Sequence, residues 1–234
     1  LTYATYKSTL ATLSVVPETD PNWLDILPSA IDYAELRIYR DLDLLSTVST
    51  NTSYSTTVRD SRVSVPASAF VTIQNVNVIT PAGTLQPSEG TRNPLLPVSK
   101  EYIQYSWPSS ANADVPKYFA MLDQNSFHVG PWPDAVYRLE IIGTIRPTSL
   151  SSTNTTTFIS QYLPDLFLMA SMVFISGYQR NFGRQSDDPA MAQSYESQYQ
   201  TLLRGATVEE YRKKFSASGW TSISPSPVAT PGRG

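Results

Sequence analysis

Cysteine is absent, histidine occurs once, and no P-loop, G-x-G-x-x-G or G-x-S-x-G stretch is present in the 234 residues. Without cysteine there are no disulfides and no thiolate metal sites, and the redox compartment is unreadable. The lone His128 has only Asp123 and Asp134 as sequence-near carboxylates. Catalysis or metal binding would need partners for it that the chain does not offer, so it reads as a strand-end residue. The missing glycine-rich motifs leave nucleotide binding and an acyl-transfer nucleophile without support. Charge is scarce too: Asp, Glu, Lys and Arg make up 16% of the chain, with a net charge of −3. Broad nucleic-acid binding needs a basic surface, so the composition argues against it.

No hydrophobic run is long enough for a membrane. The most apolar stretch, "LPDLFLMASMVFISGY" (163–178), carries Asp165 and is too short to span a bilayer. Lys7 stands among Thr and Tyr with no apolar h-region, so no secretory signal is expected. The carboxylate pairs Asp41/Asp43 and Asp187/Asp188 lack the ligand pattern of a calcium loop. Helix caps or solvated helix ends account for them. A glycosidase pair distant in sequence stays open. No cofactor is indicated, and no internal repeat is found.

Hydrophobic residues make up 41% and aromatics 11% of the chain, which suits a folded protein with a sizeable core. Residues 3 to about 48 have helical spacing, interrupted by "VVPETDPNW" (15–23). Thr19 or Asp20 can cap the next helix, Pro21 suits its first turn, and Pro28 is expected to break or kink it. In "IDYAELRIYRDLDLL" (31–45), Ile31, Ala34, Ile38, Leu42 and Leu45 form one apolar face. Asp32, Glu35, Arg37, Arg40, Asp41 and Asp43 surround it.

The period becomes two from about 52 to 147. "VYRLEIIGTI" (136–145) puts Tyr137, Leu139, Ile141 and Ile145 on one side of a strand. "FVTIQNVNVI" (70–79) slips phase, which predicts a bulge or bend near Gln74 and Asn75. "TPAGT" (80–84), "GTRNP" (90–94) and "GPWPD" (130–134) are turn signals. Tyr102, Tyr105, Trp107, Tyr118, Phe119 and Trp132 could stack on sugars, but strands are enriched in aromatics and a core role is preferred.

Helical spacing returns after "SSTNTTT" (151–157). Ile159, Leu163, Leu166, Ala170, Val173 and Phe174 form a face, with Gly183 as a stop. A last helix is expected over 187–215, capped by Asp188 with Pro189 in its first turn. Its buried stripe is Met191, Tyr195, Tyr199, Leu202 and Leu203, and Gly205 is a possible interruption. "SASGWTSISPSPVATPGRG" (216–234) has no period, and disorder when free is expected. The expected fold is α+β: a helical bundle built from the N- and C-terminal helices, with an inserted antiparallel β-sheet or sandwich. The expected parts are 1–50 and 151–215 for the bundle, 51–150 for the β insertion and 216–234 for a flexible Ser/Pro-rich tail.

The order of these features resembles a known family. "AELRIYRDLDLL" is followed by strands and "VPKYFAMLDQNSFHVGPWPDAVYRLEIIGTIRPTSL", then by "YLPDLFLMASMVFISGY" and "YESQYQTLL". Over roughly residues 3 to 215 this resembles the head-to-tail adaptor (connector or tail tubular) proteins of tailed bacteriophages. The resemblance implies a structural virion protein without enzymatic activity, at the head–tail interface, assembled in the host cytoplasm. Its partners would be the portal protein, neighbouring copies in a ring, commonly a dodecamer, and a downstream tail component such as a nozzle or tail tube. DNA would pass through the channel without sequence-specific binding, and no membrane is involved.

A ring subunit meets its neighbour through two different patches. Glu35, Arg37, Arg40 and Asp41 could pair between copies, or Arg37 could pair with Asp41 within the helix. Tyr211, Arg212, Lys213, Lys214 and Phe215, at the end of the last helix, and Trp220 in the tail are further candidates for partner binding. The alternatives are a β-rich receptor- or carbohydrate-binding tail protein and, third, a glycan-degrading tail enzyme.

Overall fold

Asp20 caps the long second helix, accepting the backbone N–H of Trp23, and Pro21 fills the first turn. Both follow from local chemistry. The computed structural model describes residues 1–66, 68–84, 86–180 and 189–218. Helices α1 (Tyr3–Leu13) and α2 (Pro21–Asp41) precede the strands, and α3 (Lys100–Ser106) lies among them. Helices α4 (Phe158–Tyr162), α5 (Pro164–Arg180) and α6 (Pro189–Ser218) follow. The architecture is α+β. The chain divides into two compact units, one made of Leu1–Leu45 with the chain from Thr148 onward, the other of Ser46–Pro147.

In the first unit a single apolar core is shared by five helices. Tyr6 and Leu10 of α1, Leu27, Ile31 and Ile38 of α2, Ile159 of α4, Phe167 and Ala170 of α5, and Tyr199 of α6 are all essentially inaccessible. Tyr6 stacks on Phe167 with ring centroids 4.3 Å apart. Its hydroxyl lies 2.6 Å from the Ser171 hydroxyl and donates to the Phe167 carbonyl at 3.1 Å. The polar tip of a buried tyrosine is thereby satisfied.

Several local expectations need correction. Helix α2 runs unbroken through Pro28. Pro28 and the residue four before it, Leu24, are exposed, so water can serve the carbonyl that the proline cannot bond. The helix ends at Asp41, Leu42 serves as its C-cap, and Leu45 is exposed rather than part of the stripe. The apolar run after 157 is split: α4 opens with a Thr157–Ser160 capping box and ends at Tyr162 with Leu163 as its C-cap, and Pro164 begins α5. Val173 and Phe174 are only half-buried, while Phe167, Met172 and Ile175 carry that face instead. Gly205 does not interrupt α6, which continues to Ser218, so the first residues of the expected tail are helical. Gly183, Asp188 and the Met191 side chain lie outside the described residues, as does 219–234.

The second unit holds two four-stranded sheets. Its strands are β1 (Val48–Asn51), β2 (Arg62–Ser64), β3 (Thr72–Thr80), β4 (Thr91–Pro94), β5 (Leu96–Pro97), β6 (Tyr118–Asp123), β7 (Ser126–Gly130) and β8 (Arg138–Thr144). One sheet has the order β1-β8-β3-β4 and is antiparallel throughout. The other has the order β2-β7-β6-β5, with only β5 and β6 parallel. Val76, Val78, Leu139 and Ile141 of the first sheet and Val63, Phe119, Phe127 and Val129 of the second form one core. The phase slip in β3 is a register shift between Ile73 and Asn75, where the sequence places it. A Cβ at the facing Gly143 would meet the Thr72 carbonyl oxygen, so glycine is required at this approach.

Replacing Ile38, fully buried on α2, by Asp should cost ~3 kcal/mol or more through an unpaired buried charge. Urea denaturation measures this, and wild-type stability would show that the α2 stripe is not core.

Candidate partner-binding surface

The candidate residues that the structure describes lie where the C-terminal end of α2 meets α6. Arg37 is their centre. Its Nη2 donates to Glu196 Oε1 at 2.5 Å, its Nε lies 3.6 Å from Asp41 Oδ2, and its guanidinium covers the Tyr199 ring at 4.1 Å. The Tyr199 hydroxyl in turn donates to Asp41 at 2.7 Å. The Glu196 hydrogen bond holds Arg37 even more firmly charged, and the same bond lowers the Glu196 carboxyl below its ordinary range. Burial first, and then the bond to Asp41, push the Tyr199 phenol well up. Arg37 thus pairs within its own helix, as its spacing allows, and also across to α6.

Glu35 does not join that surface. It is 2% exposed, and its carboxylate accepts the Leu150 N–H at 3.1 Å. Burial raises its pKa. A carboxyl so placed anchors the chain locally and cannot reach another subunit.

Near the end of α6, Lys213 donates to Glu209 and Glu210, each at 2.8 Å. These two bonds raise its pKa. Its ammonium also lies 5.3 Å from the Phe158 ring centre. Glu210, itself buried, accepts the Leu45 N–H at 3.1 Å, and Lys214 pairs with Asp43. Asp41, Asp43, Glu210, Tyr211 and Lys214, with Leu42 and Thr207, line a cleft of about 140 Å³. That is below the few hundred Å³ of a small-molecule site.

Asp41, Tyr211 and Lys214 therefore share one cleft, while Arg37 and Lys213 are engaged within the chain. Arg40 and Arg212 are exposed and form no ion pair among the described residues. The Phe215 side chain and Trp220 lie outside the described residues. Sequence reasoning missed Glu196, Glu210 and Asp43 as partners. The 209/210/213 spacing signals one bond set, whereas pairing across helices has no local signal.

In the second unit His128 Nδ1 lies 2.9 Å from the Ser61 hydroxyl, within β7 rather than at a strand end. Of the six aromatics expected in a core, only Phe119 is buried. Trp107 stacks on Tyr118 at 5.5 Å, Tyr102 meets both edge-on, and Trp132 Nε1 donates to the Trp107 carbonyl at 2.8 Å. They form a half-exposed cluster against α3, and Tyr105 is almost fully exposed. Among the described residues no group of three or more acidic or histidine side chains could hold a metal ion.

A family model described as SU10 adaptor protein matches residues 1–224. The chain belongs to this family. It is a structural phage adaptor rather than an enzyme, with virion location and other head and tail components as its setting. No curated protein matches it. No described helix of the adaptor is long and apolar enough to cross a membrane.

Arg37→Ala should destabilise this adaptor by about 1–3 kcal/mol, since it strands Glu196 and uncovers Tyr199. Arg40→Ala and Arg212→Ala should each change stability by less than about 0.5 kcal/mol. Thermal denaturation of the three variants separates the engaged arginine from the exposed pair.

Proposed function

We propose that this adaptor is a subunit of a closed ring beneath the portal, commonly of twelve copies, that joins the capsid to the tail. Its first unit acts as a helical bundle that docks on the portal and on neighbouring copies. The β unit faces the next tail component, a nozzle or tail tube. DNA passes through the channel without being read, and a mild net negative charge of −3 favours sliding over adhesion. Assembly takes place in the host cytoplasm, and the finished ring sits at the head–tail interface.

The family match over 1–224 carries this reading. It favours an adaptor over the carbohydrate-binding alternative, although Tyr102 and Tyr105 are exposed. Native mass spectrometry with and without purified portal tests it. Monomers or weak assemblies alone, and a closed ring once portal is added, are the expected result. A stable dimer indifferent to portal would overturn the ring.

The carboxy-terminal stretch belongs to the same proposal. Trp220 and Ile223 are apolar residues set among Ser and Pro, a composition that cannot bury them alone. Anchoring them in a groove of the portal or of a neighbour would order the segment only on assembly. Deleting 216–234 should leave the melting temperature nearly unchanged yet weaken portal binding, and Trp220→Ala should reproduce part of the loss. Unaltered binding after the deletion would make the stretch a passive appendage.

A further inference from the structure

Charge is unequally shared between the two ends of α2. No Lys, Arg or His occurs between Lys7 and Arg37, while Glu18, Asp20, Asp25, Asp32 and Glu35 do. Asp20 is used as a cap and Glu35 is buried, which leaves Glu18, Asp25 and Asp32 on the surface. Around the turn joining α1 to α2, Leu13, Val15 and Leu24 are exposed as well.

Val15 is the telling residue. It is 82% exposed and has a φ of 54°. Its N–H bonds the Thr12 carbonyl at 3.2 Å, and the Val16 N–H bonds the Ala11 carbonyl at 3.0 Å. That pattern closes a helix through a left-handed residue and ordinarily employs glycine. A β-branched side chain is strained there. Neither the core nor the backbone calls for an exposed valine at this position, and strain of this kind gathers at binding surfaces.

At the other end the signs reverse. Arg204, Val208, Tyr211 and Arg212 are exposed on one face of α6 at spacings of four, three and one. Neither Arg204 nor Arg212 forms an ion pair among the described residues. The acidic Glu209 beside them is held by Lys213. The bonds from Arg37 to Glu196, from Tyr199 to Asp41 and from Lys214 to Asp43 keep this part of α6 beside the C-terminal end of α2. With 21 residues in α2, the two ends are about 30 Å apart, so one copy cannot join its own patches.

We propose that the first units of successive copies meet head to tail, the acidic apolar turn between α1 and α2 of one copy seated on the basic apolar face of α6 in the next. The patches match in charge, and each has an apolar centre that gains from burial. Two different patches on one subunit make a heterologous contact, which closes by rotation into a ring. This rests on the ring reading above and assigns its faces.

Two charge reversals test it, Glu18→Lys with Asp25→Lys on one face and Arg204→Glu with Arg212→Glu on the other, each assayed for rings on purified portal. Each reversal alone should abolish rings that the wild type forms. An equal mixture of the two reversed proteins should restore them, because every contact is again between opposite signs. Val15→Gly should raise the melting temperature while weakening assembly. Rings from wild type and from either reversed protein alone would overturn these faces and leave the ring itself standing. Loss by each variant without rescue in the mixture would overturn their pairing. Absence of wild-type rings on portal would overturn the ring and these faces with it.

Discussion

Everything in the first unit depends on closing the chain between α2 and the helices that follow the strands. The stripe of α2 that buries Leu27, Ile31 and Ile38 has its partners in Ile159, Phe167, Ala170 and Tyr199, more than a hundred residues later. Holding such distant segments together costs loop-closure entropy, though the cost grows only slowly with length. Burial of several large side chains, each contributing roughly 1.5–3 kcal/mol, offsets it. The inserted residues Ser46–Pro147 have their own core, so that unit brings its own stability.

Apolar burial alone leaves the register of two helices loosely defined, because neighbouring turns offer similar surfaces. Arg37 removes that freedom. A guanidinium that simultaneously reaches Glu196, Asp41 and the Tyr199 face is satisfied at one offset between α2 and α6. The planar fork of arginine suits this, and a lysine would supply a point charge without the stacking. Glu35 plays a similar part nearby, fixing Leu150 just after the chain returns from the strands.

Much of this was legible in the sequence. Asp20, Pro21, the apolar period of α2 and the phase slip in β3 act within a few residues, and local chemistry decides them. The misreadings came from exposure. Pro28 does not break α2 because it faces water, and the aromatics around Trp107 are half-exposed because they pack on one another against α3. Whether a helix's outer face is wet or covered depends on the fold, which periodicity does not contain. For the candidate surface, the sequence names Asp41, Tyr211 and Lys214 separately, and the cleft they share has no local signal because they lie on helices far apart in the chain. The bond from Arg37 to Glu196 was illegible because the two lie 159 positions apart.

The mixed charges of α2 and α6 now separate by what they face. Those beside a second helix are consumed inside the subunit: Arg37 by Glu196, Lys213 by Glu210, Lys214 by Asp43. A satisfied pair of this kind adds stability and leaves little field for a partner. Charges on outward turns, Asp25 and Glu18 at one end and Arg204 and Arg212 at the other, keep their field. Since exposed charges add little to a monomer's stability, folding alone does not explain their segregation by sign between the α1–α2 turn and the outer face of α6. The head-to-tail contact proposed above would account for it, because long-range attraction between unlike ends would align copies before apolar surfaces touch.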